Sequence, residues 1–514
     1  MADDLTPGDV LEAPRALTGV VQTSNGPVRG YREDVLSVFK GLRYAAPPVG
    51  LARFKPPSLP RRWSEPAGAV AYGAPAIQSG LAPGERRTSP GDPPAPDEPA
   101  SSEDCLFLNV WTPGLDAARR PVMVWLHGGG FANGSGGAAM YDGGALARRG
   151  DAVLVTINHR LNVFGYLHLG EAFGPEYAQS GVAGMLDIVQ ALEWVQANIE
   201  VFGGDPANVT IFGESGGGWK VSLLMAMPAA RGLFAKAIIQ SGPGLTAKPR
   251  QDADKIARQL LDELGVATPE ALAALSTEAI SHASVKIPGE AMRLYTPILD
   301  GAVIPRHPFE PDASPLNADV PLMIGTNKDE NTLFLFSHPK FGAFTADDVA
   351  KQARNAVGER ADALVAALRA AYPEYSDTHI FSAVGTVTGM WGNSVTLAER
   401  KAAQGAAPVF MYLLTWETPV AKGRLRSPHA IEIPLVFDNV EKARNFVGRG
   451  EAPQALAEQM SAAWLAFART GDPSAKGLPT WPAYDAQGRA TMIFDLESRV
   501  EHDPLPDVRK VLQA

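Results

Sequence analysis

The chain has 514 residues, 45% apolar and 20% charged, the make-up of a soluble globular protein with room for a large α/β core. Acidic residues outnumber basic ones, 56 to 46, and the formal net charge of -10 excludes a nucleic-acid footprint and disfavours anionic membranes. One cysteine, Cys105, excludes an intrachain disulfide and any cysteine-based metal site, so the core must hold by packing.

The first stretch, "MADDLTPGDVLEAPRAL", is acidic and has no apolar run of the kind a signal peptide carries. No run of about eighteen apolar residues follows anywhere, so no transmembrane helix is expected. Residues 81–102, "LAPGERRTSPGDPPAPDEPASS", are rich in proline, glycine and charge and read as a mobile surface loop. "RPVMVWLHGGG" (120–130) reads as a buried strand entering a glycine turn, and "DAVLVTINHR" (151–160) as a second strand. In 184–204, Leu186, Val189, Leu192, Val195 and Ile199 recur at helical spacing, which predicts a helix ended by Gly203. "NVTIFGES", "KAIIQSG" (236–242), "VPLMIGTNKDE" (320–330) and "APVFMYLLTW" (407–416) are further strands. Residues 345–375 read as a helical insertion. Strands alternating with helices predict an α/β fold: one domain over 1–514, with a mostly parallel sheet covered by helices on both faces.

Two glycine motifs carry the chemistry. "IFGESGGGWKVS" (211–222) fails as a phosphate loop, because Trp219 follows Gly218 and Lys220 is followed by Val221. It does fit G-x-S-x-G, through Gly213, Ser215 and Gly217, between a strand and a helix. A nucleophilic serine on such a turn needs glycines two residues away, where a side chain would collide with neighbouring backbone. A glycine-rich helix start is the ordinary alternative. Upstream, "WLHGGGF" (125–131) ends a strand with consecutive glycines, the kind of backbone that can offer N–H donors to an oxyanion. A plain tight turn is the alternative there, and the two motifs in this order argue against both alternatives. A serine also needs a base and an orienting acid, in the order Ser…Asp/Glu…His. Asp329 and Glu330 are candidate acids; His282, His307, His338, His379, His429 and His502 are candidate bases, and pattern alone does not choose.

Taken together, these segments resemble the type-B carboxylesterases, the cholinesterase-like branch of the α/β-hydrolases. The resemblance runs from "GVVQTSNGPVRG" to "ARTGDPSAKGLPTWPAY" and includes "FKGLRYAAPPVGLARFKPP", "SSEDCLFLNVW", "INHRLNVFGYL", "FGESGGG" and "GTNKDE". It implies the α/β-hydrolase fold and a carboxylic-ester hydrolase with no cofactor and no metal. Ser215 would be the nucleophile, Glu330 the acid and His429 the base. Gly129, Gly130 and Gly216 would form the oxyanion hole. Glu214 would tune the local field, and Phe131, Ser241, Phe334, Met390 and Trp391 would line the substrate site. Core packing is the ordinary reading of the last group. Buried ion pairs of Arg53 with Glu103 and of Arg160 with Asp187 are implied too.

The chain departs from the family pattern at several points. Ala76 stands where the partner cysteine of Cys105 is expected, which points to a free thiol and a cytoplasmic location, or an exported one if a signal has been removed. No tryptophan occurs between Trp63 and Trp111, which disfavours choline esters. Gly216 replaces the usual alanine, and Asn331 the usual glycine. The expected substrate is a small to medium neutral ester, with water as co-substrate, acted on by a monomer or homodimer without nucleic-acid or membrane partners. An amidase or lipase on the same fold is the alternative chemistry. A non-catalytic binding protein is the alternative class, disfavoured because Ser215, Glu330, His429 and the glycines are all present.

Overall fold

In the computed structural model, residues 16–80 and 96–514 are described, so most of the expected 81–102 loop lies outside the described residues. Eleven strands form one sheet. In chain order they are β1 (Tyr31–Glu33), β2 (Leu36–Arg43), β3 (Phe107–Thr112), β4 (Arg120–Leu126), β5 (Val153–Ile157) and β6 (Gly204–Glu214). They continue with β7 (Lys236–Gln240), β8 (Leu322–Asn327), β9 (Val409–Leu414), β10 (Ala490–Phe494) and β11 (Arg499–His502). The spatial order is β11-β10-β9-β8-β7-β6-β4-β5-β3-β2-β1. From β5 to β10 every neighbouring pair is parallel, and the pairs outside that block are antiparallel.

The central strands are apolar on both faces, as a sheet covered on both sides requires. Val122, Val124 and Leu126 of β4 point into one apolar cluster, while Met123 and Trp125 point into the other. Helix α1 (Ala183–Asn198) packs in the first cluster with Val189, Leu192 and Val195 buried. Its chain continues through a short 3-10 turn to Gly203, which turns with φ 79° and leads into β6. The 345–375 segment forms two helices, Ala346–Val357 and Ala361–Ala371, the first opened by a capping box of Thr345 and Asp348.

Two buried ion pairs tie this frame together. Arg160, just after β5, grips Asp187 of α1 through Nε (2.8 Å) and Nη2 (2.6 Å), and both side chains are buried. Arg53 holds Glu103 in the same two-pronged way, at 2.7 and 2.6 Å. Cys105 is a buried free thiol, whose pKa burial pushes well up. Among the described residues no helix is long and apolar enough to cross a membrane, and no group of side chains is arranged to hold a metal ion.

Candidate active site

The C-terminal ends of β4, β6, β7 and β8 lie side by side and deliver most of the site, the place where open parallel sheets bind ligands. Strand β6 passes into helix α2 (Gly216–Leu224) through Ser215 alone, held at φ 55°, ψ −121°. A non-glycine residue in that region stores strain. Its surroundings explain the flanking glycines. A Cβ on Gly217 would lie 1.9 Å from the Leu126 carbonyl oxygen, and one on Gly213 would lie 2.6 Å from the same atom. The turn is fixed from both sides, because Ser215 N donates to Gln240 O (2.8 Å) and Trp219 N donates to Ser215 O (3.0 Å). Between Ile211 and Gly218 only Ser215 is partly exposed, and its hydroxyl bonds to no described residue.

Glu330 follows β8 and is fully buried. Its carboxylate accepts Asn327 N (2.7 Å), Ser241 Oγ (2.5 Å) and His429 Nδ1 (2.5 Å). The neighbouring Asp329 is committed elsewhere, to Tyr375 Oη (2.7 Å) and the Ser427 N–H, and burial raises its pKa to about 6. Four other candidate histidines, His307, His338, His379 and His502, bond to groups other than Glu330. The structure therefore pairs Glu330 with His429 among the alternatives that pattern left open.

The second nitrogen of His429, Nε2, lies 3.0 Å from Glu214 Oε1. That oxygen accepts no well-directed hydrogen bond, so the contact is one of charge. Burial disfavours a charged imidazole, but Glu214 and Glu330 together outweigh it and hold the His429 pKa well above the usual range. Glu214 is itself raised by burial, against the pull of His429.

The glycine turn after β4 sits opposite the elbow. Gly129 and Gly130 have φ 79° and 62°, open to glycine at little cost. The backbone N–H groups of Gly129, Gly130 and Gly216 donate to no described residue. Preorganised donors of this kind are what a developing oxyanion needs.

The expected pocket residues divide. Phe334 is half exposed, with its ring 4.9 Å from that of His429. Met390 is partly buried in the π-helical turn Val387–Trp391. The other three are buried. Ser241 is buried with its hydroxyl spent on Glu330. Phe131 is fully buried, edge-on to both Tyr166 and Trp219. Trp391 is buried in the core. Packing holds Phe131 and Trp391 and a hydrogen bond holds Ser241, while Trp391 Nε1 has no hydrogen-bond partner among the described residues.

Sequence reading assigned no role to two buried ionisable groups. Glu432 accepts Asn327 Nδ2 (2.6 Å) and Gln240 Nε2 (3.3 Å), and burial, with Glu214 and Glu330 nearby, raises its pKa to about 8. Lys220 is fully buried on α2. The available signal was a single charge inside an apolar run, Glu432 in "AIEIPLV" and Lys220 in "WKVSLLMAM".

Comparison with known proteins agrees with this architecture. A model described as the carboxylesterase family matches residues 18–508. The para-nitrobenzyl esterase of Bacillus subtilis (strain 168) is 36% identical over 506 residues, covering 96% of this chain and 98% of its own length. The phenmedipham hydrolase of Pseudarthrobacter oxydans is 33% identical, over 92% of this chain and 94% of its own. Among solved structures, the Geobacillus stearothermophilus carboxylesterase EST55 at pH 6.2 superposes with a TM-score of 0.84 at 38% identity, covering 96% of this chain and 100% of that one. The chain belongs to the carboxylesterase family: it is an α/β-hydrolase that hydrolyses carboxylic esters.

Proposed function

We propose that this esterase works through an acyl-enzyme on Ser215, with His429 as base, Glu330 as acid and Gly129, Gly130 and Gly216 as oxyanion donors. The observation that carries the reading is the buried Glu330–His429 bond at 2.5 Å, on a ring whose other nitrogen reaches Glu214, the residue directly before the strained and partly exposed Ser215. His429 takes the Ser215 proton as Oγ attacks the ester carbonyl. The glycine N–H groups hold the oxyanion, and His429 returns the proton to the departing alcohol. Water, activated by the same imidazole, then releases the acid. Glu330 fixes the tautomer with Nδ1 protonated.

Small to medium neutral esters fit best. Glu214 and Glu330 place a carboxylate on each side of His429, which disfavours anionic substrates. The exposed ring of Phe334 supplies an apolar wall beside the imidazole. The para-nitrobenzyl esterase among the relatives supports an ester with an aromatic alcohol as one such substrate. The acidic net charge supports a protein without nucleic-acid partners, acting as a monomer or homodimer, and the lone buried thiol supports a cytoplasmic location.

The test is hydrolysis of p-nitrophenyl esters from acetate to palmitate by wild type and Ser215→Ala. Turnover of the short esters by wild type, with a silent variant, supports the reading. Equal activity in both proteins would place the chemistry elsewhere.

A further inference from the structure

The glycine turn that would form the oxyanion hole has every one of its carbonyls tied back into the protein. Gly128 O accepts His127 Nδ1 (2.9 Å), and Gly129 O accepts Ala132 N (3.2 Å) and Asn133 N (3.0 Å). The remaining two, His127 O and Gly130 O, accept from a single group, Lys220 Nζ, at 3.0 and 2.8 Å. Lys220 is fully buried, with Nζ 5.1 Å from the Phe131 ring centroid. It sits on the first turns of α2, the helix that begins with Gly216 directly after Ser215.

Gly216 lies against the same turn. A Cβ built there would come within 2.3 Å of Gly130 O, 2.4 Å of Gly130 Cα and 2.5 Å of Gly130 N. The turn is therefore drawn closer to the elbow than any side chain at 216 would permit. The glycine at 216, where the family pattern has alanine, and the lone charge at 220 describe one arrangement. The lysine pulls the turn in from below, and the glycine makes the room.

We propose that Lys220 is a positioning residue of the oxyanion hole: by bonding the carbonyls of His127 and Gly130 it seats the glycine turn against Gly216 and leaves the turn's N–H groups for the substrate. This rests on the assignment of Gly129, Gly130 and Gly216 as oxyanion donors. Without the lysine, two buried carbonyls lose their donor, and the turn must move to find another. Donors aimed at an oxyanion lose effect steeply when displaced. Burial pushes the Lys220 pKa down to about 7, against the pull of Glu214. The neutral amine still carries two N–H donors, one for each carbonyl, so the seating survives loss of the charge.

The experiment compares wild type, Lys220→Met, Gly216→Ala and the double variant. It measures kcat and KM for p-nitrophenyl acetate, the affinity of a trifluoromethyl ketone that mimics the tetrahedral adduct, and Tm. Lys220→Met is expected to lower kcat by about 10- to 100-fold and to weaken the ketone by a similar factor, with KM changed by less than about threefold. Gly216→Ala is expected to do the same, and the double variant to lose much less than the product of the two, because both displace one turn. Wild-type kcat and ketone affinity in Lys220→Met overturn the proposal, even if Tm falls, since that is the mark of a purely structural lysine. If Lys220→Met does not fold, Lys220→Gln keeps two donors at shorter reach and takes its place; Gly216→Ala carries the same expectation without touching the lysine. A wild type that cleaves no ester, or a Ser215→Ala variant as active as wild type, would instead overturn the catalytic assignments themselves.

Discussion

Glu214 Oε1 stands 3.0 Å from Nε2 of His429, while Glu330 holds the ring's other nitrogen at 2.5 Å. One buried imidazole is thus clamped between two carboxylates, and their combined charge keeps its pKa well above the usual range. A base must be neutral to accept the serine proton. The acid limb of kcat/KM should therefore lie above the pH at which an ordinary histidine titrates. Glu214→Gln removes one of the two charges, lowers the His429 pKa and should move that limb to lower pH. A limb that stays in place or moves upward in the variant would show that Glu214 carries no charge beside the ring.

Glu330→Gln tests the other side of the clamp. The amide can present an N–H where Nδ1 needs an acceptor, which favours the wrong imidazole tautomer. Loss of kcat by about 10³- to 10⁴-fold is expected, with KM changed only severalfold, as for the equivalent substitution in serine proteases. Ser241→Ala removes one of the three donors to Glu330 and leaves Asn327 N and His429 in place. It should cost no more than about tenfold. Steady-state kinetics on one p-nitrophenyl ester settles both, and a Glu330→Gln enzyme with near-normal kcat would remove Glu330 from the mechanism.

Much of this was legible in the sequence because strand β6 and its turn are under severe local constraint. Gly213 and Gly217 are required by the Leu126 carbonyl, so the motif reads as geometry. Strands β4 to β9 announce themselves as apolar runs, since both faces of the sheet are covered. The partner of Glu330 could not be read from pattern, because the two residues are 99 positions apart and meet only through the folded loop after β9. That Phe131, Ser241 and Trp391 are buried while Phe334 is exposed was not legible for a related reason. An aromatic or hydroxyl side chain near a site in sequence can point into the core as readily as into a pocket, and burial is a tertiary property. Glu432 and Lys220 could be given no role because a lone ionisable residue in an apolar segment does not disclose which carbonyls or amides satisfy it.

Asp187→Asn probes the frame. The Arg160 guanidinium makes two bonds to Asp187, and the Arg160 N–H makes a third at 3.0 Å, all in the interior. Neutralising the aspartate leaves a buried guanidinium without its counter-charge. A loss of about 3–5 kcal/mol is expected. The exposed pair of Arg258 and Glu171 is the contrast, and Glu171→Gln should cost less than about 1 kcal/mol. Urea denaturation of the three proteins makes the comparison. Similar losses in both variants would mean that burial does not set the value of these pairs.

Glu432→Gln should make the protein more stable, by a margin that grows from about pH 4.5 and levels off above about pH 8. The Glu432 carboxyl titrates at about 8 in the folded chain, raised first by burial and then by Glu214 and Glu330, from an ordinary value of 4.5. An acid whose folded pKa is raised binds its proton more tightly when folded, so stability falls as pH climbs from about 4.5 through 8. Glutamine imitates the protonated acid in size and in carrying one acceptor and one donor side. Asn327 Oδ1, which has no hydrogen-bond partner among the described residues, offers the new amide an acceptor beside the existing contact. Near pH 5 the wild-type acid is neutral in the folded chain, and the two proteins should melt within about 1 °C of each other. At pH 9 the wild type must hold a third charge next to Glu214 and Glu330, whereas the variant does not. Its Tm should then be higher by about 2 °C or more. A Tm difference that is constant from pH 5 to pH 9 would show that Glu432 does not change its protonation in the folded protein.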